Sequence, residues 1–312
     1  MIPEKEERII SLIKKKLGSS PKEITYKKSL HDIYDILLED GRRVVLKTAP
    51  ESDFVNETVI TDFMLEHDLP VPKVLDHDQT CTDFPEPYII KEWVGGTKLG
   101  ELLKSVNETE ALEIFQTVGR VFGRMNGLHN DRSGLIRDEP YNTLPVSPNE
   151  YMFNAEIVNG SGSKAVEENW VSESLHQRII RLWEENMEYL KDHRSSLVHF
   201  SPFHWTIYLD KLGGEWQVTK LTAVGDILWW DAACNVAFFK YPPFLEMKES
   251  WWNAFVDGYG EIPEMRRIDL YLLLIIISAG AGTYMEPVED SNDDWRRKAF
   301  ADLEEIVEDL EG

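Results

Sequence analysis

The chain has 312 residues, 42% hydrophobic and 29% charged, the proportions of an ordinary globular protein and not of a disordered or collagen-like one. Its 56 acidic against 33 basic residues give a formal charge of −23, which argues against non-specific binding to nucleic acid or to an anionic membrane and leaves a soluble acidic surface or a cationic ligand. Two cysteines, Cys81 and Cys234, cannot build the disulfide framework of a small secreted domain.

The first residues, MIPEKEERIISLIKKKL, alternate charge with apolar side chains and lack the continuous apolar stretch of a secretory signal, so a cytoplasmic protein is expected. Ile9, Ile10, Ile13 and Leu17 recur at helical spacing, and Gly18 stops the helix. Strand-like runs follow at Ile24 to Tyr26, Ile33 to Leu38 and Arg43 to Lys47, with Asp40-Gly41 as a hairpin signal between the last two. Phe54 to Leu65 has one apolar helical face and is closed off by Pro70 and Pro72. Lys73 to Leu75 and Tyr88 to Trp93 read as two more strands, and Gly95-Gly96 marks a change of direction.

Beyond that point the pattern turns helical. Phe115, Val118, Phe122 and Met125 step by three and four, and Leu175 to Leu190 forms another such helix. Between them residues 137–171 are rich in Pro, Asn, Ser and Gly, which predicts a loop-rich insertion. A single hairpin, Ile207 to Leu209 and Trp216 to Leu221 about Gly213-Gly214, interrupts the helices. Phe244 to Leu310 returns to helix, and the apolar run Leu270 to Ala279 is about half the length of a membrane span, so it reads as buried. The expected domains are 1–94 and 95–312.

Several stretches resemble the aminoglycoside phosphotransferase and choline-kinase-like family. Arg43-Val44-Val45-Leu46-Lys47 resembles the lysine-bearing strand of a kinase, with Glu57 placed ten residues on, in a helix. Leu69-Pro70-Val71-Pro72-Lys73-Val74-Leu75 resembles the family's "pvPkvl" stretch, and Tyr88 to Gly96 its strand into the hinge. Leu128-His129 is similar to another of its marks. The resemblance implies an α+β, two-lobed, protein-kinase-like fold, with an antiparallel five-stranded N-terminal lobe carrying one helix and a mainly helical C-terminal lobe. It implies ATP as cofactor, bound by Lys47, Glu57, Glu92 and Val94; a lysine point charge meets the phosphates and a glutamate steadies it. The loop Ser29-Leu30-His31-Asp32 has no glycine where the phosphates would be covered, and Asp32 would add a repelling charge.

Active relatives carry a stretch close to H-G-D-x-x-x-x-N, then a hairpin and an apolar-apolar-Asp segment. One acid handles the substrate proton; the asparagine and the second acid hold magnesium. Here the match is His199-Phe200-Ser201 through Thr206, then Thr222-Ala223-Val224, so Ser201, Thr206 and Ala223 stand at those three positions. The following Trp230-Asp231-Ala232-Ala233-Cys234-Asn235 matches the family's "gDpayD" and fixes the register, leaving Asp226 three places late. His199 is assigned a structural role in the loop. A hydrolase built on Ser201 and a neighbouring histidine lacks the G-x-S-x-G elbow. Phe200, Phe203, Trp205, Tyr208, Trp229 and Trp230 either fill the place of phosphate and metal or form core.

The sequence therefore predicts a catalytically impaired member of this family, a pseudokinase binding a nucleotide or small, cationic molecule in the interlobe cleft, without a magnesium site. Two rival readings stand beside it. One is an active phosphotransferase with Asp226 or Asp231 as surrogate acids, and the other is a structural module that binds a protein partner.

Overall fold

The computed structural model describes residues 3–28, 31–50, 54–143, 147–281 and 292–312. The chain divides into two compact units, one made of residues 1–96, 137–142 and 219–225 and the other of 97–136, 143–218 and 226–312.

In the first unit α1 (Pro3–Leu17) precedes β1 (Pro21–Lys28), β2 (Asp32–Leu38) and β3 (Arg43–Thr48), followed by α2 (Val55–Glu66), β4 (Val74–Asp78) and β5 (Tyr88–Glu92). The five strands form one antiparallel sheet in the order β1-β2-β3-β5-β4. Side chains of β2 and β3 alternate between buried and partly exposed, as a sheet with one covered face requires. That covered face is closed by α1: Ile9, Leu12 and Ile13 pack in one cluster with Tyr34, Ile36, Leu38, Val44 and Leu46. At the tip of the β2–β3 hairpin Gly41 has φ of 87°, a conformation that glycine adopts without steric penalty.

The second unit is mainly helical. It contains β6 (Thr97–Lys98), α3 (Leu99–Leu102), α4 (Glu108–Asn126), β7 (His129–Asn130), β8 (Gly134–Leu135), α5 (Pro148–Met152), α6 (Ser161–Glu167) and α7 (Glu173–Lys191). Then come β9 (Ser195–His199), β10 (Ile207–Leu212), β11 (Glu215–Leu221, whose last residues belong to the first unit), β12 (Ile227–Asp231), α8 (Ala232–Lys240), α9 (Glu249–Tyr259), α10 (Met265–Gly280) and α11 (Asn292–Glu311). A capping box at Asn107 and Glu110 starts α4. Its apolar stripe Phe115, Val118, Phe122 and Met125 is buried, and glycines on both helices let α9 approach closely: a Cβ on Gly119 of α4 would lie 2.2 Å from the Phe255 carbonyl oxygen, and one on Gly258 of α9 would lie 1.9 Å from the Gln116 carbonyl oxygen. Leu270 to Ala279 is buried in α10, and among the described residues no helix is long and apolar enough to cross a membrane.

Two details go beyond the expectations. Segment 137–171 carries helix among its loops: α5, a π-helical stretch Phe153–Val158 and α6 occupy about half of it. The wider π turn breaks the 3.6-residue period on which helix recognition rests. The expected hairpin is also not the only β structure, because β9 and β12 pair antiparallel in a sheet ordered β7-β9-β12-β8. Every residue of those two central strands is buried, so neither shows alternation. The α+β architecture, an antiparallel five-stranded sheet with helices and a mainly helical unit with small sheets, is the protein-kinase-like one.

Candidate functional site

In the first unit β3 and α2 bring Lys47 and Glu57 together: Lys47 Nζ donates to Glu57 Oε2 at 2.9 Å. The other carboxylate oxygen, Oε1, accepts from Lys91 Nζ on β5 at 2.8 Å. One carboxylate thus serves two ammonium groups. Glu57 and Lys91 are buried, whereas the Lys47 side chain keeps 22% of its surface and its ammonium also lies over the Phe54 ring, 5.3 Å from the centroid. Burial pushes the Glu57 carboxyl up, but Lys91 and Lys47 outweigh it and hold the group down at about 2. Burial pushes Lys91 below the usual lysine range, with Glu57 opposing and Lys47 and Lys220 reinforcing the shift. Sequence reasoning missed Lys91, although a lysine within the apolar run Tyr88-Ile89-Ile90 was its available signal.

The remaining nucleotide candidates lie in the same unit. The carboxylate of Glu92 accepts from Lys220 Nζ at 3.2 Å and from the Lys73 backbone N–H, so it is engaged within the sheet region. Val94 follows β5, and its backbone N–H has no hydrogen-bond partner among the described residues. Ser29 and Leu30 lie outside the described residues. Asp32 is not a bare charge: Lys5, Lys28 and Tyr26 all donate to it and, against burial, hold its carboxyl well below the ordinary range. The repulsion expected of Asp32 is therefore locally compensated.

Ala223 also belongs to this unit. Its φ of 56° is left-handed, unusual for a residue with a Cβ. The segment runs close to the carboxylate, since a Cβ on Gly225 would lie 3.8 Å from Glu57 Oε2. A methyl group is what position 223 contributes there.

The second unit holds the loop after β9. His199 is fully buried; its Nδ1 accepts from the Ser201 backbone N–H at 3.2 Å, and its own backbone N–H donates to Asn235 Oδ1. Asn126 Nδ2 donates to both Asn235 Oδ1 and the Leu197 carbonyl, which ties α4, β9 and α8 together. Thr206 Oγ1 lies 2.9 Å from the carbonyl oxygens of both Ser201 and Phe203 and shares its proton between them. Of the aromatic residues of the loop Phe203 is buried, while Phe200 and Trp205 are half-buried: Phe203 stacks on Trp205 at 4.5 Å between centroids, and Phe200 and Phe203 both abut Phe238. Trp229 and Trp230 are fully buried. His204 is largely buried, which lowers its imidazole to about 4.

The two surrogate acids differ. Asp231 is buried, accepts from the Ala233 backbone N–H as the cap of α8, and pairs with Arg267 Nη1 at 3.0 Å. Asp226 is exposed and its carboxylate has no partner among the described residues, while its carbonyl accepts from the Phe200 backbone N–H. Magnesium, implied by the resemblance, requires oxygen ligands and favours carboxylates. The Ala223 side chain offers no oxygen, so position 223 does not supply the carboxylate that the ion favours, and Thr206 offers only a neutral hydroxyl oxygen whose proton goes to the carbonyls of its own loop.

No curated protein matches the chain in sequence. Among solved structures it is similar to a thermostable mutant of aminoglycoside phosphotransferase APH(4)-Ia in ternary complex with AMP-PNP and hygromycin B, at 18% identity and a TM-score of 0.66, over 96% of this chain and 98% of that one. It is also similar to a mutant of aminoglycoside 2'-phosphotransferase-IIIa in its GDP complex, at 16% identity and a TM-score of 0.64, over 99% of both chains. A third similarity is to the GDP and kanamycin complex of APH(2")-IIIa, at 14% identity and a TM-score of 0.62, over 96% and 97%. At such identities the likeness establishes the fold. The family model described as the phosphotransferase enzyme family (APH) matches residues 28–215, more than half of the sequence, and the chain belongs to that family.

Proposed function

We propose that this protein is a catalytically impaired member of the phosphotransferase family that binds a nucleotide through Lys47 and the Val94 backbone. The carrying observation is a contrast within one unit: the Lys47–Glu57 pair is formed at 2.9 Å, while the segment beside it presents Ala223. Loss of a positioned base costs about 10² to 10⁴ in rate, and loss of metal stabilisation of the transferred charge adds several kcal/mol. A reaction that runs at about 1 to 100 per second in kinases would then fall to about once per minute or slower. Serine at position 201 keeps its proton near neutral pH and cannot replace a carboxylate base.

The second ligand class consistent with this reading is a small cation. The net charge of −23 favours it, and hygromycin B and kanamycin are bound by two of the similar structures.

The test is calorimetric titration with ATP and GTP, together with measurement of phosphate transfer or release over hours. Micromolar to millimolar nucleotide binding with no turnover above about one per minute is expected, and turnover of about one per second refutes the impairment. A gain of transfer in the triple variant Ser201→Asp, Thr206→Asn, Ala223→Asp would support the assignment of those positions. One observation favours a rival: the free carboxylate of Asp226 is available as an acid, whereas that of Asp231 is committed to Arg267. Measurable transfer by the natural chain that vanishes in Asp226→Asn would select that rival.

A further inference from the structure

We infer that Lys47, Glu57 and Lys91 form an anion site that takes the polyphosphate of a nucleotide without a divalent cation. The inference rests on the nucleotide-binding reading above and adds what that reading leaves open, the ionic form of the ligand.

A lysine paired with a glutamate is neutral. Here the single Glu57 carboxylate divides its two oxygens between two ammonium groups, at 2.9 Å for Lys47 and 2.8 Å for Lys91. The cluster consequently carries a net charge of +1 when its three groups are ionised. Its surroundings amplify that charge, because side-chain exposure is 6% for Glu57 and 10% for Lys91. Lys47, at 22%, is the member through which a ligand meets the cluster. Lys91 also changes what Lys47 is free to do. When Lys47 turns from Glu57 to a phosphate oxygen, the carboxylate keeps Lys91, and no buried charge is left alone.

The groups around the cluster do not cancel this excess. Lys220, the other cation acting on Lys91, is tied to Glu92 and to the Val71 carbonyl oxygen. Gly225, on which a Cβ would lie 3.8 Å from Glu57 Oε2, brings no side chain, and Glu57 is the one acid among the groups that act most strongly on Lys91. A magnesium ion accompanying the nucleotide would bring two further positive charges toward a cluster that is already positive, with an alanine where its carboxylate ligand is needed. The metal-free polyphosphate is the better electrostatic match.

The bland alternative is that Lys91 only stabilises Glu57, in which case its charge has no bearing on ligand affinity. Titration with ATP and GTP in EDTA and in magnesium, on the natural chain and on Lys91→Met and Lys91→Arg, separates the two. Lys91→Met keeps the Lys47–Glu57 pair and nearly the same side-chain volume. The expected result is binding in EDTA at least as tight as in magnesium, a loss of about tenfold or more in EDTA for Lys91→Met, the size expected for one charge at roughly 10 Å and an effective dielectric constant near 20, and near-natural affinity for Lys91→Arg. Binding that requires magnesium, or unchanged affinity in Lys91→Met, overturns the inference and leaves nucleotide binding standing. Absence of binding under both conditions overturns both.

Discussion

The replacement Glu57→Gln tests the two-lysine cluster most directly. It leaves the shape of the side chain nearly unchanged but removes the only carboxylate that serves Lys47 and Lys91 among the described residues, both within 3 Å of it. Lys91 is then a buried ammonium without a counter-charge, and breaking a buried ion pair from one side costs about 3–5 kcal/mol. At about 2–4 °C per kcal/mol the melting temperature should drop by roughly 6–20 °C. The double variant Glu57→Gln, Lys91→Met removes the stranded charge as well and should recover most of the loss. Lys47→Met should cost less than Glu57→Gln, since Lys47 is the partly exposed partner and Glu57 retains Lys91. Chemical denaturation of the natural chain, Glu57→Gln, Lys91→Met and the double variant supplies the cycle. A cost below about 1 kcal/mol for Glu57→Gln, or a double variant no more stable than the single one, would refute the claim that Lys91 depends on Glu57.

Other expectations follow from the second unit. Asp231→Ala removes the cap of α8 and takes the counter-charge from the half-buried Arg267 guanidinium, which keeps its bonds to the Leu190 and Asp192 carbonyl oxygens, so a loss of about 3 kcal/mol is expected by denaturant titration. His204 has a folded pKa of about 4, below its unfolded value. The unfolded chain therefore binds more protons between pH 4 and 6.5, and the stability that His204 contributes above pH 6.5 declines as pH falls toward 4. His204→Gln should flatten that part of the pH–stability curve relative to the natural chain. Gly258→Ala would drive a Cβ into the Gln116 carbonyl at 1.9 Å, and overpacking of this kind costs about 1–3 kcal/mol. A melting temperature equal to that of the natural protein would show that α4 and α9 can part without penalty.

The parts of this fold that were legible are those in which one sequence signal and one burial pattern coincide. The β2–β3 hairpin has both its Asp40-Gly41 turn and alternating strands, and α4 has a buried stripe at helical spacing behind its Asn107 cap. Strands β9 and β12 had neither, since Ser195–His199 and Ile227–Asp231 are buried on both faces. Short runs of that kind carry no period to distinguish them from helix. The Lys47–Glu57 pair was legible because the resemblance supplied its spacing. Lys91 was not, because its counter-charge is 34 residues away in sequence and appears only once β3, α2 and β5 are assembled.

In the register proposed above, Ala223 separates backbone from chemistry at the position assigned to an acid. Its left-handed φ of 56° places the Cβ against backbone, a conformation disfavoured by about 1–2 kcal/mol for residues other than glycine. Asparagine and aspartate tolerate the same conformation better than alanine does. The backbone at 223 is thus suited to the residue type the resemblance implies and strained by the one present. Ala223→Gly relieves the strain but adds freedom to the unfolded chain worth about 0.4–1 kcal/mol, so the net gain should be about 0.5–1 kcal/mol. Ala223→Asn and Ala223→Asp should be close to neutral or stabilising for the same reason. A clear destabilisation by all three would mean that the methyl group is itself a packing element, and that restoring an acid at this position would cost stability.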